Sequence, residues 1–275
     1  MKRRDFLKTS LTVSAMAGLS TASLRASAAE LAAAGQEYYE LRAYKLKSSS
    51  TRPLLDEYLE KAAIPAWNRI GLGPIGVFAQ QERTGNAESS EVRDPLLVFV
   101  LIPYPSLAGL AVATARVDAD AEYQKAGTKY LQVPKAQAVF DRIDSSLMLA
   151  FSGMPKLELT AYSREKKTRM FELRTYESYS EAKALKKIEM FNSGEMQAMR
   201  DTGLAPVFYG QALIGHDLPH LTYMLSAEDS AAHTQHWAAF RKNSTWNRLN
   251  GDAQYADTVS KITNRFLVPT PYSGI

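Results

Sequence analysis

Short runs of alternating apolar and polar residues give way to longer stretches with apolar residues three and four apart, and this succession occurs twice along the chain. Tyr38 to Lys45 and Met170 to Glu177 alternate and carry aromatic and β-branched residues, which is the period of a half-buried strand. Helical spacing follows each: Leu54, Leu55, Tyr58, Leu59, Ala62 and Ala63 after the first, Leu185, Ile188, Met190, Phe191 and Met199 after the second. Gly71 and Gly203 stand where those helices should stop. "PIGVFAQQ" and "PVFYGQALI" then read as second strands, each with proline at its start, and "LLVFVLI" and "HLTYMLS" as third strands. Helical regions at 105–131 and 227–248 and last strands near 145–151 and 261–268 complete the order βαββαβ, twice.

The residues themselves repeat. "YYELRAY" at 38–44 returns as "MFELRTY" at 170–176, and "GLGP" at 71–74 returns as "GLAP" at 203–206, both at an offset of 132. The offset falls to 124 between "LVFVL" (97–101) and "LTYML" (221–225), then to 119 between Ile143 and Ile262, so each drop marks a shortened loop. A βαββαβ unit is the ferredoxin-like module, an antiparallel sheet with both helices on one face, and a second copy can cover its bare face. The expected fold is therefore α+β: tandem ferredoxin-like modules at 37–151 and 169–268, packed sheet to sheet as a sandwich or barrel. A linker rich in charge and turn residues at 152–168 joins them, and 269–275 forms a C-terminal tail.

Alternation divides each opening strand into two faces. Phe171, Leu173 and Thr175 share one side and Glu172, Arg174 and Tyr176 the other; Tyr39, Leu41 and Ala43 oppose Glu40, Arg42 and Tyr44 in the same way. The apolar sets are expected to meet the helices, which leaves the Glu-Arg-Tyr sets facing the space between the sheets. There they could orient a polar or anionic ligand, since Arg offers a planar fork and Tyr a donor. They could equally pair with one another, as buried charges normally do.

Histidines occur only in the second module: His216, His220, His233 and His236. His233 and His236 are neighbours on one helical face, a spacing that suits a metal, although no third ligand is evident and a packing role accounts for the pair as well. Asp118, Asp120 and Glu122 lack the glycine and distal Glu of a calcium loop and read as a solvated helix start. The sequence has no phosphate-cradling glycine loop, nucleophile elbow or zinc-protease helix motif. Without cysteine there is no thiolate chemistry, disulfide or cysteine metal site.

The formal charge of +4 is a property of the first residues. Residues 1–28 contain five of the 33 basic residues and one of the 29 acidic ones, leaving 28 of each, so the remainder has no bulk electrostatic case for nucleic acid. The opening has a basic start, an apolar stretch from Leu11 to Ala22 too short and polar to span a membrane, and the triplet Ala26-Ser27-Ala28. Arg3-Arg4-Asp5-Phe6-Leu7-Lys8 resembles the twin-arginine export motif. A signal peptide cut near Ala28, the twin-arginine (Tat) machinery as partner, and a periplasmic or extracellular destination are the expectations. That route implies folded passengers, often loaded with a cofactor, without naming one.

The paired openings, "GLGP" and "GLAP", and Trp237 and Trp246 in the last helical region resemble the NIPSNAP family. The resemblance covers about residues 37–268 and implies the dimeric α/β-barrel fold, here within one chain. It implies no agreed reaction. Relatives in the wider superfamily bind small molecules or haem, some through a helix histidine, which would make His233 or His236 the candidate. Three functions stay open: a small-ligand-binding protein, a haem- or metal-dependent oxidoreductase of monooxygenase or peroxidase type, and a non-catalytic structural or interaction protein, with a homo-oligomer open in each.

Overall fold

The computed structural model describes residues 35–80, 91 and 94–275; the proposed signal peptide and most of the loop after residue 80 lie outside them. The first module runs β1 (Tyr38–Leu46), α1 (Arg52–Tyr58), α2 (Ile64–Arg69), β2 (Gly76–Gln80), β3 (Leu97–Tyr104), α3 (Leu107–Asp118), α4 (Ala121–Leu131) and β4 (Phe140–Ala150). After a short helix α5 (Ala161–Arg164), the second runs β5 (Met170–Glu177), α6 (Glu181–Met190), α7 (Met196–Asp201), β6 (Ala205–Ile214), β7 (His220–Ala227), α8 (Ser230–Phe240), α9 (Ser244–Asn250) and β8 (Lys261–Pro269). The double βαββαβ order read from periodicity is the observed order.

The strands close into one antiparallel barrel in the order β1-β3-β2-β8-β5-β7-β6-β4. Each module contributes a four-stranded sheet, and the sheets join at β2 with β8 and at β4 with β6, equivalent seams that complete the pairing of edges otherwise left open. The repeat extends into helical detail. A π-helical turn joins α1 to α2 at Leu59–Ala63, and another joins α6 to α7 at Phe191–Glu195, again 132 residues on.

Three cores follow from this closure. Tyr39, Phe78, Phe99, Leu101, Phe171 and Leu173 meet inside the barrel. Tyr44, Val98, Val100 and Ile102 face outward onto α1, the π turn, α2 and α4, and Tyr176, Tyr209, Tyr223 and Leu225 face outward onto the helices of the second module. The expected facing of the opening strands is thus inverted. Two sheets packed on each other form the drier, more enclosed space, so the apolar sets of β1 and β5 line the barrel, and Glu40, Arg42, Tyr44, Glu172, Arg174 and Tyr176 lie beneath the helices.

The linker and the last residues also take part in the core. Leu157 and Leu159 pack against the barrel interior and Ile275 is fully buried in it, its carbonyl accepting from Arg169 beside the start of β5. Leu185, by contrast, is 53% exposed, and the buried stripe of α6 is Ala184, Lys187 and Met190.

Candidate functional site

In both modules the strand carboxylate is fully engaged. Glu40 accepts from Arg42 Nε at 2.6 Å and Nη2 at 2.9 Å, from Tyr104 Oη at 3.0 Å and from Ser145 Oγ at 2.8 Å. Burial pushes its carboxyl up, but these partners outweigh burial and hold it below the ordinary value. Glu172, sealed from solvent, accepts from Arg174 Nη1, from Asn264 Nδ2 at 3.1 Å and from Trp237 Nε1 at 2.9 Å, and lies 2.8 Å from His233 Nε2. Here too burial raises the carboxyl, and the Arg174 charge with the His233 bond brings it down to about 2. Ser145 and Asn264 occupy equivalent strand positions, so the modules share the plan of this network. Of the two readings of the Glu-Arg-Tyr sets, the glutamates pair within the chain.

The modules diverge in what lies above the arginine. In the first, Arg42 rests over Trp67 at 5.5 Å, Tyr58 stacks on Tyr130 at 3.9 Å, and Tyr58 and Tyr123 share a hydrogen bond of 2.9 Å. Only about 100 Å³ remains beside Arg42. In the second, a cavity of about 580 Å³ opens between β5, α6, α8 and α9, with Arg174 and Tyr176 in its floor and Lys187, Glu195, Trp237 and Trp246 in its walls. Arg174 lies 4.8 Å from the Trp237 ring centre, and Lys187 lies 5.5 Å from that of Trp246.

Lys187 and Glu195 belong to no motif and to no strand alternation that points to a site. Lys187 Nζ lies 2.7 Å from Glu195 Oε2, with both side chains almost sealed from solvent. Burial raises the Glu195 carboxyl, with Lys187 pulling the other way. At the 132-residue offset these positions are Leu55 and Ala63, both buried and apolar. Comparing the two copies position by position would have exposed them: one module fills this layer with hydrocarbon, the other places an ion pair at a π turn, a helix distortion frequent at functional sites.

His233 is buried among Glu172, Trp237 and Phe266. Its Nε2 also lies 3.1 Å from Trp237 Nε1. Because the carboxylate accepts from both groups, we assign the Nε2 proton to the Glu172 bond and regard the Trp237 approach as proximity. The His236 ring lies against Gly203. The two histidines thus serve different contacts, and no group of three or more His, Asp or Glu side chains among the described residues could hold a metal. A metal held jointly by His233 and His236 does not fit these contacts, since His233 Nε2 is taken up by Glu172. His216 is exposed, 3.5 Å from Asp144, whereas His220 is buried. Asp120 caps α4 through the amides of Glu122 and Tyr123 and pairs with Arg69, a structural task.

A closed antiparallel barrel of two ferredoxin-like modules, with its cavity between one sheet and its helices, defines a dimeric α/β-barrel protein whose two halves occupy one chain. Within it, residues 171–274 match the NIPSNAP family. No curated protein matches the chain significantly. Among solved structures, the "putative monooxygenase" of Lactobacillus acidophilus NCFM aligns with TM-score 0.53 at 8% identity over 85% of this chain and 94% of that one. The "putative monooxygenase" of Fusobacterium nucleatum subsp. nucleatum ATCC 25586 aligns at 0.52, 8% identity, 86% and 93%. An "anthrone oxidase-like protein" aligns at 0.50, 10% identity, 86% and 92%. At such identities the likeness establishes the fold alone.

Proposed function

We propose that this is an exported NIPSNAP-domain protein that binds a small molecule with an aromatic or apolar body and an anionic or polar group. Its binding site is the cavity between the second sheet and its helices. One observation carries the reading: Arg174 lies beneath about 580 Å³ of open space, whereas the equivalent Arg42 lies beneath a filled aromatic layer. A cavity of this volume falls within the range of small-ligand sites. Trp237, Trp246 and Tyr255 offer aromatic walls, and Arg174, Lys187 and Arg241 outnumber Glu195 and Asp257 among the charged residues of the lining.

Ala256 lies on the exposed rim of this cavity, away from the ion pairs. Anilinonaphthalene sulfonate, an aromatic anion, should bind at one saturable site and quench tryptophan fluorescence. Ala256→Phe should weaken that binding about tenfold or more, a loss of about 1.4 kcal/mol. Absence of saturable binding, or indifference to both Ala256→Phe and Trp246→Ala, would remove the proposal.

Export by the twin-arginine route belongs to the same reading, supported by Arg3-Arg4-Asp5-Phe6-Leu7-Lys8 and the triplet ending at Ala28. No helix among the described residues is long and apolar enough to cross a membrane. Changing Arg3 and Arg4 together to lysine should leave the precursor in the cytoplasm, and a doubly changed protein that still reached the periplasm would refute the route.

A further inference from the structure

The barrel interior changes chemistry along its length. Near the start of β5, Tyr39, Phe78, Phe171, Phe208 and Ile275 form a sealed apolar cluster. Toward its end, strand register sets three threonines in one row, Thr222 of β7 beside Thr175 of β5, and Thr175 beside Thr263 of β8. One row deeper, Leu173 has Met224 on one side and Arg265 on the other. The same rows of the first module hold Phe99, Ala43 and Asp144, with Ser146 where the second has Arg265.

A cavity of about 380 Å³ opens at this end, with Leu41, Phe99, Met148 and Leu173 from both modules among its apolar lining. It shares no lining residue with the larger cavity. Arg265 lies across the Phe99 ring, 5.6 Å from its centre, and its buried Nη1 has no hydrogen-bond partner among the described residues. Of the carboxylates nearby, Glu177 is 2.8 Å from Lys261, Asp94 is 3.0 Å from Lys45 and Asp144 is 3.5 Å from His216, while Asp217 lies on the exposed edge of the lining. Burial lowers the Arg265 pKa against the pull of Asp94, yet an arginine keeps its charge in a protein. Arg265 is half-buried, and a sealed guanidinium donor left unsatisfied is costly and is normally matched by an acceptor.

The geometry points to a second binding site in this barrel mouth for a small organic carboxylate, held by Arg265 and the hydroxyls of Thr175, Thr222 and Thr263, with its carbon body against Leu41, Phe99 and Met148. Lys261 in the lining is paired with Glu177, so the half-buried Arg265 beside neutral hydroxyls suits one negative charge, and the apolar side chains favour a carbon chain over an inorganic oxyanion.

Calorimetric titration of the full chain with hexanoate, benzoate, inorganic phosphate and hexylammonium tests the assignment. One of the carboxylates should bind saturably at one site. Arg265→Gln should weaken it at least tenfold and Thr263→Val severalfold, while Arg265→Lys retains part of the affinity. The melting temperature of ligand-free Arg265→Gln should not fall, which separates loss of the site from loss of the fold. Ala256→Phe should leave carboxylate binding unchanged, so failure of the larger cavity and failure of this site are distinguishable. No saturable carboxylate binding, equal affinity in Arg265→Gln and Thr263→Val, or preference for phosphate or hexylammonium would overturn it.

Discussion

His233 reaches from α8 to Glu172 on β5, with His233 Nε2 2.8 Å from Glu172 Oε2 and both side chains almost fully buried. The contact clamps the helix over the larger cavity to the strand that supplies its floor. Since Arg174, Asn264 and Trp237 bond the same carboxylate, removing its charge would loosen both walls at once.

Glu172→Gln should therefore destabilise the protein by about 3 kcal/mol, the scale for breaking a buried, hydrogen-bonded charge network. The folded carboxyl titrates at about 2 against an ordinary 4.5, so the unfolded chain takes up its proton first as pH falls. The stability contributed by this group is complete above pH 4.5 and lost progressively toward pH 2. Urea unfolding at pH 7, 4 and 3 should show a shallower acid decline in Glu172→Gln than in the parent; parallel declines would contradict the network.

Lys187 and Glu195 yield a prediction with the opposite pH sign. Lys187→Met leaves a carboxylate buried without its cation and should cost about 3 kcal/mol. Glu195 is already raised by burial in the parent, so without Lys187 the folded state should retain its proton to higher pH than the unfolded chain. The stability of Lys187→Met should then fall as pH rises above the ordinary carboxylate range. Replacing both residues by their first-module counterparts, Lys187→Leu with Glu195→Ala, should restore most of the stability while impairing ligand binding. A double variant as unstable as the single one would show that the ion pair itself sustains the fold.

Much of the fold is legible because periodicity and a literal repeat agree: "YYELRAY" and "MFELRTY" open β1 and β5, and Gly71 and Gly203 end the helices after them. The side on which each strand set lies is not legible in the same way. Alternation separates Leu173 from Arg174 but does not say which face is enclosed by a partner sheet and which by helices. Both faces of β5 are buried, so polarity alone misassigns them. Arg265 is illegible for a related reason: a charge in a strand of mixed polarity gains meaning only when closure of β2 onto β8 makes that face an interior.

Phe171 and Leu185 separate the observed core from the one inferred by helical spacing. Phe171 is fully buried inside the barrel, edge-on to Phe78 with ring centres 5.0 Å apart, whereas Leu185 is 53% exposed. Phe171→Ala should cost about 3 to 5 kcal/mol, as truncation of a core aromatic does. Leu185→Ala should change stability by less than about 0.5 kcal/mol. Comparable losses for the two, measured by thermal or urea unfolding, would place Leu185 in the core after all.

Gly71 and Gly203 hold equivalent helix ends, at φ of +85° and +87°. In both, an L side chain would incur the left-handed penalty of about 1 to 2 kcal/mol. Their surroundings differ. A Cβ at Gly71 would meet nothing within 4 Å, whereas one at Gly203 would come within 2.7 Å of the His236 ring. That ring sits on α8, one turn from the His233 clamp, and its buried Nδ1 has no hydrogen-bond partner among the described residues, so displacing it strains the helix over the larger cavity. Gly71→Ala should lower stability by about 1 kcal/mol and leave ligand binding at both cavities intact. Gly203→Ala should cost about 2 kcal/mol or more and weaken anilinonaphthalene sulfonate binding. Equal losses in the two variants, with unchanged binding in both, would show that α8 yields freely and that its position does not shape the cavity.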